Sequence, residues 1–405
     1  MKKLILFLMI MLFAGLIFVS CSDDTVGANS SSPITFYKTY DSDDHNYDRG
    51  YSVQQTIDGG YIVTGRKGSS SNTTLNYDMI LLKTDINGTK EWFKAYGADS
   101  SEVGMAVIQT IDSGYVVLGY TFSLGAGEYD IWLVKLDVDG NEEWNKTFGG
   151  ARTDIGNYIQ QTTDNGFIIV GTTQSFEDGY RNVWLIKTDE NGNEEWNQIY
   201  GTSDQERGKC VQQTADGGYI ITGSRDVFDV YTGSDSDVLL LKTDNSGAIE
   251  WEKVLGEEDN DEYGNSVIET SDGGFIIAST NTVFSYVEGL WILGTDSIGN
   301  VIWSREKDSY PDDLIGNYIS PTTDDGFVIV GKVESNSYGG VSDIILLKYG
   351  NNGSFKWDQL YGEEIGAEYG YSVQETTDYG FIITGNENIF DILLIKTDEN
   401  GNVGE

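Results

Sequence analysis

The chain is nearly without cysteine, proline and histidine, with 2, 3 and 1 of them in 405 residues. Two cysteines cannot make a disulfide framework. The single His45 excludes His-pair metal sites and leaves little room for a Ser-His-Asp or Cys-His arrangement. So few prolines suit a chain of paired strands, where a missing N–H would break the ladder. Basic residues are scarce as well: 25 Lys and Arg stand against 65 Asp and Glu, a formal charge of −40. That field repels nucleic acid and anionic lipid, and favours solubility and cations. There is no CxxCH, no Walker loop, no GxGxxG after a strand, and no sustained 3.6-residue periodicity beyond the first stretch. An aromatic content of 12% with frequent apolar runs argues against disorder.

The N-terminus reads MKKLILFLMIMLFAGLIFVSC. Two lysines precede an apolar run from Leu4 to Val19, short for a membrane span and right for a secretory h-region. Its end, Phe18-Val19-Ser20-Cys21, resembles a bacterial lipobox, with Phe18 in place of the usual Leu. The resemblance implies a signal peptide over 1–21 and lipidation of Cys21, which would become the mature N-terminus. Ser22-Asp23-Asp24 resembles the acidic signal that sends some Bacteroidetes-type lipoproteins to the outer face of the outer membrane. Residues 22–33 (SDDTVGANSSSP) read as a flexible polar tether. With Cys21 acylated, Cys210 has no partner. It fills a repeat position held elsewhere by Ser52, Ala106, Tyr158, Ser266, Tyr318 and Ser372, and reads as a buried, inert thiol.

What is abundant is repetition. Seven turn motifs recur: Asp58-Gly59-Gly60, Asp112-Ser113-Gly114, Asp164-Asn165-Gly166, Asp216-Gly217-Gly218, Asp272-Gly273-Gly274, Asp324-Asp325-Gly326 and Asp378-Tyr379-Gly380. Their spacings of 54, 52, 52, 56, 52 and 54 residues mean a solenoid or a propeller. Each unit reads as four short strands: in the first, SVQQT, YIVTG, MILLKTD and KEWFKAYG. The second and third are near-continuous Ile, Val, Leu, Trp and Tyr, as in strands covered on both faces. A four-stranded unit of this period suits a propeller blade, since β-helix rungs are shorter. The last unit ends at IKTDENGNVGE without a fourth strand, and ITFYKTYD (34–41) stands unclaimed at the other end. Aligned with KEWFKAYG, it places Phe36 on Trp92, Lys38 on Lys94 and Tyr40 on Tyr96. The expectation is an all-β, seven-bladed β-propeller over 34–405, its ring closed by an N-terminal strand that completes the last blade.

In six units a Gly stands four residues before a Trp: Gly88 and Trp92, Gly140 and Trp144, Gly192 and Trp196, Gly247 and Trp251, Gly299 and Trp303, Gly353 and Trp357. The glycine permits positive φ in a tight hairpin, and the Trp lands at a fixed place on the outer strand as a docking residue. This resembles the tryptophan-docking repeat of quinoprotein (PQQ-type) propellers, with an Asp-to-Gly interval one residue shorter (Asp85 to Gly88). It is similar also to the short bacterial β-propeller repeats of secreted proteins. The resemblance implies fold and not chemistry: the quinoprotein enzymes usually carry eight blades, a cysteine pair and a calcium-binding acid cluster. Asp137-Val138-Asp139-Gly140 and Asp189-Glu190-Asn191-Gly192 look like calcium loops but lack the full ligand set, and read as hairpin turns.

The turns between strands one and two, and three and four, share one face of the ring and are nearly identical. Length variation falls on the other face, from RKGSSSNTTLNY and SRDVFDVYTGSDS to the abbreviated NENIF, so function is expected there. An acid precedes the Gly that opens each innermost strand: Asp48, Glu102, Asp154, Glu206, Glu262 and Glu368, with Asp313 a near match. Two readings stand: each caps backbone N–H groups at its own blade junction, or together they ring the channel mouth and hold a cation such as Ca2+. The variable loops also carry Tyr77, Phe122, Tyr129, Phe176, Tyr180, Phe228, Tyr231, Phe284, Tyr286 and Tyr338, suited to stacking on sugars or anchoring a protein unless they fold back on the blade. The expected function is a non-catalytic binding or scaffolding module on a lipid-anchored envelope lipoprotein. Its expected partner is an envelope protein or glycan, with membrane contact through the lipid only. An outer-membrane assembly scaffold and a calcium-assisted polysaccharide-acting enzyme are the alternatives.

Overall fold

The computed structural model describes residues 33–41, 47–71, 74–176, 180–202, 204–229, 233–257, 260–283, 287–307, 313–335, 341–362, 366–388 and 391–404. The expected signal peptide over 1–21 with Cys21, the expected tether up to residue 32, and His45 lie outside them. The described residues form strands only, β1 to β28 in chain order, in seven four-stranded antiparallel sheets. Blade 1 is β2 (Arg49–Gln55), β3 (Tyr61–Ser71), β4 (Thr74–Thr84) and β5 (Lys90–Tyr96), a meander from the ring's centre outwards. Blade 7 is β26 (Tyr369–Glu375), β27 (Phe381–Glu387), β28 (Asp391–Lys396) and, from the opposite end of the chain, β1 (Phe36–Tyr40). The fold is a seven-bladed β-propeller.

The closure keeps the expected register. Phe36 lies opposite Lys396 as Trp92 lies opposite Lys83. The Tyr40 hydroxyl donates to the Gly88 carbonyl (2.6 Å) as the Tyr96 hydroxyl donates to that of Gly140 (2.7 Å). An edge that would otherwise recruit foreign strands is thereby paired.

The core lies between blades, not within them. Each interface is a wedge of apolar side chains from two neighbouring sheets. Val116, Leu118, Ile131 and Leu133 of blade 2, for example, meet Ile159, Phe167, Ile169 and Trp184 of blade 3. This is why strands two and three carry apolar residues on both faces: β3 and β4 face one neighbour with Val63, Ile80 and Leu82 and the other with Ile62, Met79 and Leu81. The outer-strand aromatics fasten blade to blade. A Cβ on Gly192 (φ +72°) would stand 2.5 Å from the Trp144 ring of the preceding blade, and one on Gly88 would meet Phe36 at 2.7 Å. Trp92, Trp196, Trp251, Trp303 and Trp357 sit likewise against Gly140, Gly247, Gly299, Gly353 and Gly401. Only glycine allows both the backbone and the ring. These indoles are half-buried, one edge remaining in solvent.

A lysine clamp behind the turns escapes the sequence reading. Lys83 Nζ, buried, is 2.9 Å from Asp58 of the first turn, 3.0 Å from Glu91 of the outer strand, and 2.9 Å from the Thr84 carbonyl oxygen to which it donates. Lys135, Lys187 and Lys242 repeat it with Asp112 and Glu143, Asp164 and Glu195, Asp216 and Glu250. Burial alone would raise the Asp216 carboxyl; hydrogen bonds from Thr214 and Lys242 outweigh it and bring it down to about 2. The lysine recurring two residues before the Asp that follows strand three was the available signal.

Two of the three quoted loops are largely strand. RKGSSSNTTLNY continues the ladder of β3 and β4 as far as Ser71 opposite Thr74. SRDVFDVYTGSDS continues that of β15 (Tyr219–Asp229) and β16 (Gly233–Thr243) to Asp229 opposite Gly233. Their Ser, Thr, Val and Tyr residues satisfy backbone groups more cheaply in an extended hairpin than in a structureless loop. NENIF, by contrast, stays a short link, with Glu387 opposite Asp391.

Candidate functional site

The acids at the entry of the inner strands do not wall the channel. Asp48, Glu102, Asp154, Glu206, Glu262 and Glu368 are fully buried at the junctions between blades, and Asp313 is half-buried. Their work there is local. Glu102 accepts from the Ala98 and Ser123 N–H groups (3.1 and 3.2 Å) and the Thr121 hydroxyl (3.0 Å). Asp154 accepts from the Gly150 N–H (2.8 Å), Ser175 Oγ (2.5 Å) and Thr173 Oγ1. Glu206 takes the Thr202 N–H and, at 3.0 Å, Arg225 Nε. Asp48 accepts from the Gly68 N–H, Asp313 from that of Glu288 and Glu262 from that of Glu257.

Across four junctions a second carboxylate at the start of strand three stands beside the first. A Cβ on Gly97 would lie 2.6 Å from Asp78 and 2.7 Å from Glu102, while Gly149, Gly256 and Gly362 approach Asp130 and Asp154, Asp237 and Glu262, Asp343 and Glu368. Burial, then the neighbouring Asp237, drives the Glu262 carboxyl up to about 8, and burial raises Asp78, Asp130, Asp237 and Asp343. Among the described residues no group of three or more His, Cys, Asp or Glu is placed to hold a metal ion. The blades bury these acids one junction at a time, each beside its own donors.

The expected aromatics divide. Phe122 is exposed and meets Tyr129 edge-on at 5.0 Å, and Tyr129 meets Tyr120 at 5.3 Å. Phe176 folds back onto Trp184 at 5.2 Å, a contact of blade 3's own surface. Tyr180 is exposed. Tyr77 lies under the Arg66 guanidinium at 4.0 Å. Phe228 is on β15, with its side chain outside the described set; Tyr231, Phe284, Tyr286 and Tyr338 lie outside the described residues.

Around Tyr77 the structure assembles residues that sequence reasoning passed over. Tyr369 stacks on Tyr371 (6.4 Å), Tyr371 meets Tyr51 edge-on (5.2 Å), and Arg66 lies 5.9 Å from the Tyr51 ring. With Tyr77, Tyr120, Tyr129 and Phe122 these make a tyrosine–arginine tract over blades 7, 1 and 2. Burial, above all, pushes Tyr120 and Tyr371 up to about 12, so both phenols stay neutral donors. Neutral phenols, exposed ring faces and a guanidinium can stack on and hydrogen-bond a sugar or a peptide. The inner-strand tyrosines were hidden because each occupies a repeat position of otherwise mixed identity.

Along the axis, Tyr158 and Tyr318, from blades 3 and 6, join hydroxyls at 2.7 Å across the channel. Cys210 beside them is buried, accepts from Ser266 Oγ at 3.7 Å, and has its thiol pushed up by burial. It is a packed, inert group.

No family model matches the chain, and neither does any curated protein sequence. Solved structures do. The chain is similar to Chaetomium thermophilum Sqt1 bound to the N-terminus of ribosomal protein L10 (9% identity, 89% of this chain and 98% of that one, TM-score 0.52). It is similar also to the Pan2 WD40 domain of Neurospora crassa (10% identity, 89% and 98%, TM-score 0.51) and to polysaccharide lyase Uly1 (10% identity, 86% and 90%, TM-score 0.55). At such identities the shared property is the propeller fold, which serves proteins with and without catalysis.

Proposed function

We propose that the protein is a lipid-anchored envelope lipoprotein whose propeller is a non-catalytic module, binding an envelope protein or glycan through the variable face. The tyrosine–arginine tract over blades 7, 1 and 2 carries this reading. It is the one described stretch of the variable face where exposed and half-exposed rings and a cation adjoin. The binding role of propellers is represented among the similar structures by the Sqt1 complex with a ribosomal protein N-terminus. Against a polysaccharide-hydrolysing alternative stands the placement of the acids: the capping carboxylates are committed to their own junctions, whereas glycoside hydrolysis needs two acids converging on one substrate. The lipobox-like Cys21 and the acidic Ser22-Asp23-Asp24 support the anchor and an outward-facing position.

The test is an Arg66→Ala, Phe122→Ala double variant beside the native protein, in cross-linking on intact cells and on a glycan array. The expected result is loss of the captured partner or glycan with an unchanged melting curve. Capture that survives the double change, or turnover of a polysaccharide by the native protein, overturns the reading.

A further inference from the structure

Every inner strand carries a β-bulge at the same place. The register shifts between Gly50 and Ser52, and identically between Gly208 and Cys210, Gly264 and Ser266, and in the other four blades. The extra residue has no ladder partner, and a bulge re-aims its side chain. Here all seven extra residues line the central void of about 550 Å³. The glycines around them repeat; the bulged residues themselves do not. Asn157, Asn265 and Asn317 each donate through Nδ2 to the bulge-glycine carbonyl of the next blade, at 2.7, 2.9 and 2.7 Å, which pins the amides and leaves their oxygens to accept. Tyr51 and Tyr371 adjoin on one side, where the tract reaches the channel, and Met105 follows them. The seventh is Lys209, between Asn157 and Asn265 in blade order.

Lys209 is singular. It is water-accessible, yet the channel walls enclose it, so burial, and then the neighbouring Arg207, depress its ammonium pKa. Arg207 is neutralised by Asp226 at 2.8 Å. The only other charged side chain on the void among the described residues, Glu375, belongs to the far end, where its carboxylate accepts from the Thr323 N–H at 2.8 Å. Between these ends stand the joined Tyr158 and Tyr318. The result is a cup with one cation, a rim of amides and phenols, and a tyrosine floor, in a molecule of charge −40.

We propose that this cup binds a sugar acid, its carboxylate on Lys209, its hydroxyls on the asparagine amides and its ring against Tyr51 and Tyr371. An enclosed ammonium gains most from an anion that replaces its lost hydration. The charge of the whole molecule does not forbid it, since fields from distant carboxylates are screened within ~8 Å at physiological ionic strength. The cup shares Tyr51 and Tyr371 with the tract but turns on Lys209, which the tract does not use, so the Arg66→Ala, Phe122→Ala variant and Lys209→Met test the two readings apart.

The experiment is calorimetric titration of the native protein with glucuronate, with glucose as the neutral counterpart, and with tetragalacturonate as a chain bearing the same chemistry. Glucuronate should bind saturably, with glucose at least about tenfold weaker. Tetragalacturonate alone binding would mean that the acid is presented on a polymer. In Lys209→Met, a residue native to the same bulge as Met105, affinity for the acid should fall at least about tenfold with the melt unchanged. Should that variant misfold, Lys209→Asn and protection of Lys209 from amine acetylation by the acid give the same reading. Acids binding no better than glucose, or acid binding indifferent to Lys209, overturns the proposal.

Discussion

The two faces of this ring obey different rules. On the turn face, the blades use the same few residues in the same way: an Asp caps a turn and, except in the fifth blade where Gly294 stands in the lysine's place, holds a buried lysine, a glycine takes positive φ, and an aromatic from the preceding blade lies on it. On the variable face, seven junctions of similar geometry carry different side chains, hairpins of unequal length and, among the described residues, an aromatic tract over blades 7, 1 and 2. The lesson is that repetition marks what the fold requires, and departure from it marks where a ligand can be met. The bulged residues show both at once: an invariant kink holding a variable side chain.

That contrast can be broken. Deleting residues 34–41 should have the largest effect, because it unpairs β28 and opens the wedge that holds Phe36 and Tyr40 between blades 7 and 1. Thermal unfolding followed by circular dichroism should lose its cooperative transition; a melt like that of the intact chain would refute closure by β1. Next, Trp196→Ala on the turn face should cost about 3 kcal/mol, the lower end for a large aromatic because this indole is half-buried. A chemical-denaturation loss under about 1 kcal/mol would remove the docking role.

The third prediction concerns pH at the opposite end of the blade. Glu262 has a folded-state value of about 8, above its ordinary one, so the folded protein holds a proton there that the unfolded chain releases. Its contribution is fully present below about pH 4.5 and is lost as pH rises towards 8. The Glu262→Gln variant should melt at a temperature less dependent on pH between 5 and 9 than the native protein; parallel profiles would sink the assignment. The smallest effect should come from Tyr379, which holds φ +66° where Gly59, Gly217 and Gly273 stand in other blades. Tyr379→Gly should stabilise by up to about 1 kcal/mol, and measurable destabilisation would show that its exposed ring does more than tolerate strain.

Most of the architecture is legible in the chain because it is periodic. The Asp-Gly turns count the blades, and ITFYKTYD announces its place by matching KEWFKAYG residue for residue at Phe36, Lys38 and Tyr40. The site is legible only in part, and for a physical reason. The acids recur with the repeat, and their recurrence reflects a buried capping duty at each junction. Tyr51, Tyr371 and Lys209 recur in place but not in kind. Nothing in one dimension says that a β-bulge turns that position into the channel, nor that Tyr158 and Tyr318, 160 residues apart, touch across it. Phe122 and Tyr129 were recognisable from loop position, whereas Phe176 illustrates how readily such a ring turns back onto its own sheet.

The closing strand also has a mechanical meaning. Among the described residues Phe36–Tyr40 is the first strand from the N-terminal side, and it is held to its sheet by the five-residue ladder with Ile392–Lys396. Tension applied through the leading segment is thus borne by one short seam before any other blade feels it. The ring would yield first as an unfastened clasp, its two ends parting before any continuous blade is pulled apart.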